Sequence, residues 1–210
     1  MIDSLQVSVV IPVFNEELVL HEFYPRLKKE AESWGKSYEI LFVDDGSTDN
    51  SLELICKWKK VDSNIRVIKF TRNFGQQAAV LAGFRESRGN IVVQIDSDLQ
   101  NPPEEIKRLL DAFTDEIDLV VTTPRKRRDS SLRIIGSKAL HFLAQALFGN
   151  RFKLNLSSFR AMRRSVIEKI DQCQDRSRYM AVLMSWMAVP TVNVEVDHHS
   201  RKIGQTKYGV

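Results

Sequence analysis

Two aspartates one residue apart, Asp96 and Asp98, end an apolar run in the segment "VVQIDSDLQNPPEEI" (92–106). On a strand or its extension, residues i and i+2 project to one side, so both carboxylates can aim at a common point. Two close carboxylates are costly unless a cation lies beside them, and Mg²⁺ or Mn²⁺ with diphosphate oxygens meets that need. The triplet alone is also typical of a solvated acidic turn. An EF-hand is excluded because the loop lacks its glycine and its final glutamate.

A second acidic turn, "VDDGSTDNS" (43–51), follows another apolar run. We expect Ser47 or Asp49 to cap the helix that comes next. Capping accounts for the presence of only one of the three acids in this turn, because Asp44 and Asp45 precede the capping position. A carboxylate there can accept a hydrogen bond from a base ring N–H or from ribose hydroxyls.

A third segment, "IPVFNEE" (11–17), ends the first apolar run of the chain. Pro12 and Phe14 offer an apolar surface for a ring, and Glu16 offers another acceptor. Together with the two acidic turns, this segment predicts a ligand site built from loops that follow strands.

The elements that must position these loops follow from the hydrophobic pattern. Five short, β-branched, nearly continuous apolar runs predict strands that are buried on both faces, at 7–14, 38–45, 65–70, 90–96 and 118–123. Amphipathic segments between them predict helices at about 16–34, 49–60, 76–88 and 103–114. The alternation predicts an α/β fold with a mostly parallel sheet flanked by helices, and in such sheets ligands bind at the carboxyl ends of the strands. The two usual glycine-rich phosphate-binding motifs, G-x-G-x-x-G and G-x-x-x-x-G-K-S/T, do not occur, so other residues must hold the ligand.

Length and composition predict one domain over residues 1–210, since 210 residues with 43% hydrophobic content can bury a core. We divide it into a half at about 1–124, which carries the acidic turns and is expected to bind the donor ligand, and a half at about 125–210, which carries a basic loop, an amphipathic helix and a C-terminal basic loop and is expected to form the acceptor side. The two cysteines, Cys56 and Cys173, lack metal-ligand spacing, and we expect structural thiols in a reducing compartment.

The net charge of +4 is mild but unevenly placed, with much of the excess in "RKRRDSSLR" (125–133) and in the tail after Asp197. No aromatic residues interleave with the basic run, so we do not expect nucleic-acid binding. A solvated loop and a contact with anionic lipid both remain open for it.

We expect neither a signal peptide nor a membrane span within this sequence, because no apolar run reaches about 20 residues. A C-terminal membrane segment beyond "GQTKYGV" remains open. The stretch at about 132–148 has an apolar stripe as a helix, and it is interpreted either as a core helix or as a basic amphipathic helix in a membrane interface.

These motifs, taken in order, resemble the family 2 glycosyltransferases with the GT-A fold, a Rossmann-like sheet flanked by helices. More closely, the chain resembles the polyprenyl-phosphate glycosyltransferases, the relatives of dolichol-phosphate mannose synthase and of bacterial undecaprenyl-phosphate sugar transferases. The resemblance covers nearly the whole chain through "PVFNEE", "VDDGSTD", "TRNFGQQAA", "DSDLQNPPE", "SSFRAMRR" and "RKIGQTKY". The last of these points to the lipid-phosphate branch.

The resemblance implies a role for each matching residue. The nucleoside would be held by Pro12, Phe14, Glu16, Val43 and Asp45, and the metal, Mg²⁺ or Mn²⁺, with the diphosphate by Asp96, Ser97, Asp98 and Gln100. Two C-terminal cations would close over the phosphates, namely Arg201 and Lys207. The acceptor phosphate would be received by Arg125, Arg133 and Ser137.

Three positions depart from the common pattern of the family. Phe14 stands where tyrosine is common, Asn101 replaces a frequent aspartate, and "SSFR" (157–160) replaces a more usual Gly-Asp or Gly-Ser before Phe-Arg. These departures concern the sugar and the acceptor more than the class of reaction.

The resemblance implies inverting transfer of a sugar from a nucleotide-sugar, with UDP favoured and GDP possible, to a polyprenyl phosphate. The enzyme would work at the cytoplasmic membrane face, either peripherally or through a C-terminal anchor, and a homo-oligomer is possible. Alternatives are a family 2 transferase that acts on a glycan or protein hydroxyl, a sugar nucleotidyltransferase, and a non-catalytic module that binds a nucleotide or a lipid surface.

Overall fold

The structure is a computed structural model that describes residues 5–125, 157–173, 183–184, 187 and 189–199. Within these ranges, seven strands form one sheet and five α-helices flank it. The strands are β1 (Val7–Val13), β2 (Tyr38–Asp44), β3 (Ile65–Lys69), β4 (Ile91–Gln94), β5 (Leu119–Pro124), β6 (Arg160–Arg163) and β7 (Thr191–Val196). The helices are α1 (Glu17–Glu32), α2 (Ser51–Lys59), α3 (Gln76–Glu86), α4 (Ile106–Asp111) and α5 (Arg164–Gln172).

The sheet has the strand order β3-β2-β1-β4-β6-β5-β7. All neighbouring strands run parallel except at β6, which is antiparallel to both β4 and β5. The predicted α/β fold with a mostly parallel sheet is confirmed. Because β6 lies between β4 and β5, the halves that the sequence divides near residue 124 share a single sheet.

Each face of the sheet has its own apolar core, as expected for strands whose side chains alternate between faces. On β1, Val9 and Ile11 join one cluster while Val10 joins the other. The first cluster packs against α1, α2 and α4, through residues such as Phe23 and Ile106. The second cluster packs against α3 and α5. Helices on both faces therefore hold the strand ends in fixed positions.

One helix differs from the prediction. The helix expected at 103–114 is a 3-10 turn at Pro103–Glu105 followed by α4, which ends at Asp111. Its end comes early because Thr114 and Asp115 have low helix propensity. Both cysteines are free thiols.

Candidate active site

Three loops with polar side chains meet at the carboxyl edge of the sheet because the strands that they follow are neighbours. β1 lies between β2 and β4, so residues 14–16, 45–50 and 95–101 all leave the same edge. The loop after β3, residues 70–75, leaves that edge beside β2. This is the edge at which open α/β sheets bind ligands.

The first two loops are tied together by hydrogen bonds. Asn15 Oδ1 accepts from the backbone N–H of Thr48 at 2.8 Å, and the Asn15 backbone N–H donates to Ser47 Oγ at 3.1 Å. Asn15 has a φ of 53°, a left-handed conformation that asparagine tolerates well. The segment that carries Phe14 and Glu16 is therefore fixed against the loop after β2.

Asp49 bonds the starts of two helices. Its Oδ1 accepts from the backbone N–H of Ser51 at 3.0 Å, and its Oδ2 accepts from the backbone N–H of Glu17 at 3.1 Å. Burial alone would raise the pKa of Asp49, but hydrogen bonds from Ser51 and Glu17 outweigh burial and leave that pKa below its usual value. The N-cap residue of α2 is Asn50, and its cap carries no side-chain hydrogen bond, so the expectation that Ser47 or Asp49 caps this helix is wrong. Asp49 instead accepts from the first residue of α2, and the Ser47 hydroxyl accepts from Asn15.

Asp45 holds the loop after β3 in place. Its Oδ1 accepts from the backbone N–H of Phe74 at 2.7 Å and its Oδ2 from that of Gly75 at 2.9 Å, and the residue is only 3% exposed. The two loops touch closely, since a Cβ on Gly46 would lie 2.5 Å from the carbonyl carbon of Arg72. The carboxylate predicted to bind the nucleoside thus has both oxygens engaged by backbone groups, and it reaches a ligand only through its remaining lone pairs.

The other residues that are predicted to bind the nucleoside differ in solvent accessibility. Pro12 and Val43 face each other in the β1–β2 register, and both are buried. Val43 is fully buried within the core on the α3 face, so its side chain does not reach a ligand at the edge. Phe14 and Glu16 lie just beyond β1, are partly exposed, and are the members of the set with accessible side chains.

In the predicted metal loop, exposed and buried side chains alternate along the chain. Asp96, Asp98 and Gln100 are partly exposed, whereas Ser97 and Leu99 are buried at 3% and 4% exposure. Asp98 Oδ1 accepts from the backbone N–H of Gln100 at 3.0 Å, which closes the turn. Both carboxylates therefore lie on the accessible side of the loop, whereas the Ser97 side chain does not.

Asp96 is the acid of the predicted metal loop whose pKa is shifted. Burial raises its pKa, and the negative charge of Asp98 raises it further, while hydrogen bonds and the charge of Arg160 act in the opposite direction. The pKa of Asp96 remains above its usual value. A bound divalent cation would offset both the burial and the repulsion, so this donor pair fits Mg²⁺ or Mn²⁺ with diphosphate oxygens completing the ligand set.

Arg125 directly follows β5. Its Nη1 is 3.1 Å from Asp197 Oδ1, and both side chains are about half exposed. The chain that follows β7 then runs past the metal loop, where the backbone N–H of His199 donates to the Gln100 carbonyl at 2.9 Å. The predicted acceptor cation and the predicted metal loop are thereby linked through residues 197–199.

Several predicted residues lie outside the described part of the chain. They are the acceptor-side Arg133 and Ser137, the C-terminal Arg201 and Lys207, and the amphipathic stretch at about 132–148. Their roles stay predictions.

Sequence reasoning missed three residues that shape the site. Gln76 and Ser158 both bond Asp96, and Asp197 pairs with Arg125. The bond from Asp49 to α1 was also missed. Two of these residues stand at positions that the sequence marks as unusual or polar. Ser158 belongs to the "SSFR" segment, and Gln76 is a polar residue that opens a helix after Gly75. No signal in the sequence places either one beside Asp96, because their separations from it are 62 and 20 residues.

Within the residues that the structure describes, no group of three or more His, Cys, Asp or Glu side chains is placed to hold a metal. Two carboxylates are sufficient for Mg²⁺-type sites in which substrate phosphates and waters supply the other oxygens. Among the described helices, none combines the length and apolar character needed to cross a bilayer.

Several known proteins are similar to this chain. It is 40% identical over 204 residues to the undecaprenyl-phosphate 4-deoxy-4-formamido-L-arabinose transferases of Salmonella paratyphi B and Salmonella newport. The match covers 97% of this chain and 62% of each relative, so the chain spans about three-fifths of the length of these relatives.

Solved structures share the fold at low identity. A mannosyltransferase from Pyrobaculum calidifontis in complex with GDP-Man and Mn²⁺ has a TM-score of 0.66 at 15% identity, over 90% of this chain and 55% of that one. TarS from S. aureus with UDP-GlcNAc has a TM-score of 0.66 at 18% identity, and the match covers 96% of this chain and 60% of TarS 1-349. Glucosyl-3-phosphoglycerate synthase from Mycobacterium tuberculosis, with Mn²⁺, UDP-glucose and phosphoglyceric acid, has a TM-score of 0.60 at 22% identity, over 93% and 72%.

These likenesses confirm the predicted GT-A fold. The family described as glycosyl transferase family 2 matches residues 8–171, which include β1 to β6 and every described loop of the site except the segment after β7. Since this match covers well over half of the chain, the protein belongs to glycosyl transferase family 2.

Proposed function

We propose that this chain transfers a sugar, with inversion, from a nucleotide-sugar to a polyprenyl phosphate at the cytoplasmic membrane face. The observation that carries the proposal is the convergence of the Asp96–Asp98 pair with the loops after β1 and β2 at one sheet edge. Such an edge suits a nucleoside on one side and a metal-bound diphosphate on the other. The 40% identity to transferases named for undecaprenyl phosphate supports the lipid-phosphate acceptor.

The donor is proposed to be a UDP-sugar, with a GDP-sugar as the alternative. Two of the similar structures contain UDP-sugars and one contains GDP-Man, so the fold accommodates both bases. Phe14 and Glu16 are the accessible side chains next to β1 that would contact the nucleoside. Asp45 would act chiefly by holding the loop after β3 against this site.

Asp98 and Asp96 would hold Mg²⁺ or Mn²⁺, with Gln100 at the end of the same turn. When bound, the cation acts as a Lewis acid that neutralises the charge developing on the diphosphate. Two of the similar structures contain Mn²⁺, which supports a divalent metal for this chain.

The acceptor side needs cations rather than a base. A phosphate monoester has a second pKa near 6 and already carries an oxyanion at neutral pH. That oxygen forms the new bond to the anomeric carbon as the bond to the diphosphate oxygen breaks, so no proton has to be removed. Arg125, which lies in the described part of the chain, would hold this phosphate. Arg133 and Ser137, which lie outside it, are proposed to assist.

A thermal-shift panel tests the donor and the metal. We expect UDP with Mn²⁺ to raise the melting temperature more than UDP alone, GDP or CDP, because a ligand that binds the native state stabilises it. Asp98→Asn should lose the Mn²⁺-dependent part of the shift. Asp111→Asn is the matched control, since Asp111 is an exposed acid on α4 that pairs only with Lys107 among the described contacts. Equal shifts by UDP with and without Mn²⁺ would contradict the metal site.

A further inference from the structure

Both oxygens of the Asp96 carboxylate accept a short hydrogen bond from a side chain on a different element. Gln76, the first residue of α3, donates from Nε2 to Oδ1 at 2.6 Å. Ser158, in the loop before β6, donates from Oγ to Oδ2 at 2.6 Å. Hydrogen bonds to an ionised acceptor are shorter and stronger than those between neutral groups, and these two fix the carboxylate from both sides.

The Ser158 donor is itself held firmly. Ser158 is followed by Phe159, whose carbonyl accepts from Thr122 Oγ1 at 2.8 Å, and then by Arg160, where β6 begins to pair with β4 and β5. Thr122 also bonds the neighbouring Ser157, with 2.7 Å between the two hydroxyl oxygens. The backbone around Ser158 is thus anchored to two strands, so the hydroxyl has little freedom to leave Asp96.

The bonded carboxylate can still bind a cation. Its two oxygens offer about four lone-pair sites, and the two hydrogen bonds occupy two of them. Asp96 also lies on the accessible side of its loop together with Asp98. Mutation of a side chain that orients a metal ligand in this way typically lowers metal affinity by about 10–100-fold.

We propose that Gln76 and Ser158 are positioning residues that fix the Asp96 carboxylate so that its free lone pairs face the metal and the diphosphate. The inference rests on the proposed metal role of Asp96. It also gives a function to Ser158, which lies in the "SSFR" segment where the sequence departs from the common pattern of the family. Through Ser158, the segment that leads into β6 contacts the donor site directly.

The test is calorimetric titration of Mn²⁺ into the protein saturated with UDP. Ser158→Ala and Gln76→Ala should each raise the Mn²⁺ dissociation constant about 10-fold or more, in keeping with other groups that orient metal ligands. Ser158→Thr keeps the hydroxyl and should restore most of the affinity. The control is Gln77→Ala, which removes the exposed neighbour of Gln76.

The outcomes separate this inference from the proposed function. If the parent binds Mn²⁺ with UDP and the Ser158→Ala, Gln76→Ala and double variants bind it equally well, the positioning role is wrong while the metal site stands. If the parent shows no Mn²⁺ dependence, the metal site itself is wrong and the inference falls with it. Melting temperatures close to that of the parent in all variants, with weaker Mn²⁺ binding only where a bond to Asp96 is lost, would establish the positioning role.

Discussion

Leu99 has a backbone conformation that leucine rarely adopts. Its φ is 59°, and it stands between Asp98 and Gln100 in the proposed metal loop. A left-handed conformation costs a residue with a Cβ roughly 1–2 kcal/mol, which the fold offsets here by burying the side chain to 4% exposure. The buried leucine thus stabilises a turn that leaves the two flanking polar residues accessible.

We predict that Leu99→Ala and Leu99→Gly both destabilise the fold, but to different extents. The loss of the buried side chain should cost about 2–4 kcal/mol in each case. Glycine adopts positive φ without penalty, so Leu99→Gly should be about 1 kcal/mol more stable than Leu99→Ala. Urea denaturation of the two variants measures this difference. A glycine variant that is less stable than the alanine variant would show that the turn carries no backbone strain.

Arg125 supports a second prediction at this scale. Arg125→Ala should raise the KM for a short polyprenyl phosphate about 10-fold or more, because one charge-assisted hydrogen bond contributes about 1.5–3 kcal/mol. Its exposed ion pair with Asp197 contributes about 0–1 kcal/mol, so stability should hardly change.

The matched control is Arg85→Ala, which removes another half-exposed, ion-paired arginine, at the end of α3. UDP binding with Mn²⁺ should be unchanged in both variants. Steady-state kinetics with varied acceptor separates the effects, and an unchanged acceptor KM in Arg125→Ala would remove this residue from the acceptor site.

At the scale of elements, Asp49 joins the β1–α1 connection to the β2–α2 connection. We predict that Asp49→Asn lowers the free energy of unfolding by about 1 kcal/mol at pH 7, the usual net contribution of one hydrogen bond, because one of the two accepting oxygens becomes an NH₂ group. The pKa of Asp49 is lowered in the folded protein, so its contribution is present above the ordinary aspartate pKa and is lost as pH falls through the lowered value. The gap between parent and variant should therefore close in acid. A gap that stays constant from pH 7 to pH 3 in denaturant titrations would contradict this role.

The sequence predicts some elements better than others for physical reasons. The strands β1 to β5 are continuous apolar runs, and all five were predicted. β6 consists only of "RAMR" at 160–163 and has no apolar run, so the sequence does not predict it. It is buried because it lies between β4 and β5 in the sheet. β7 is an edge strand with alternating exposure, which is a weaker signal than a run buried on both faces.

The site was predictable where its chemistry is local. Asp96 and Asp98 are two residues apart, so the sequence alone indicates that their carboxylates are close, although a turn after β4 rather than a strand carries them. The contacts of Asp45 with Phe74 and Gly75 join residues 29 and 30 positions apart, so only the folded sheet reveals that this carboxylate is engaged by backbone groups.

At the scale of the whole molecule, charge is divided between the two halves of the sequence. Residues 1–124 contain 14 Lys and Arg against 21 Asp and Glu, while residues 125–210 contain 17 against six. Each basic residue near an anionic surface contributes about 1 kcal/mol of attraction. We predict that the protein sediments with anionic liposomes at low salt and is released as the salt concentration rises. Equal binding to neutral vesicles, or no binding to either, would contradict a membrane-facing basic half.

In the proposed reaction, a nucleotide-sugar donates its sugar to a lipid phosphate with the help of Asp98. The measurement that tests it most directly is mass spectrometry of lipid products after incubation with Mn²⁺, a panel of UDP-sugars and GDP-Man, and either undecaprenyl phosphate or undecaprenol. We predict a glycosylated product from undecaprenyl phosphate with at least one donor, none from undecaprenol, and loss of the product in Asp98→Asn but not in Asp111→Asn. Transfer to the free alcohol, or a product that persists at the parent level in Asp98→Asn, would contradict the account.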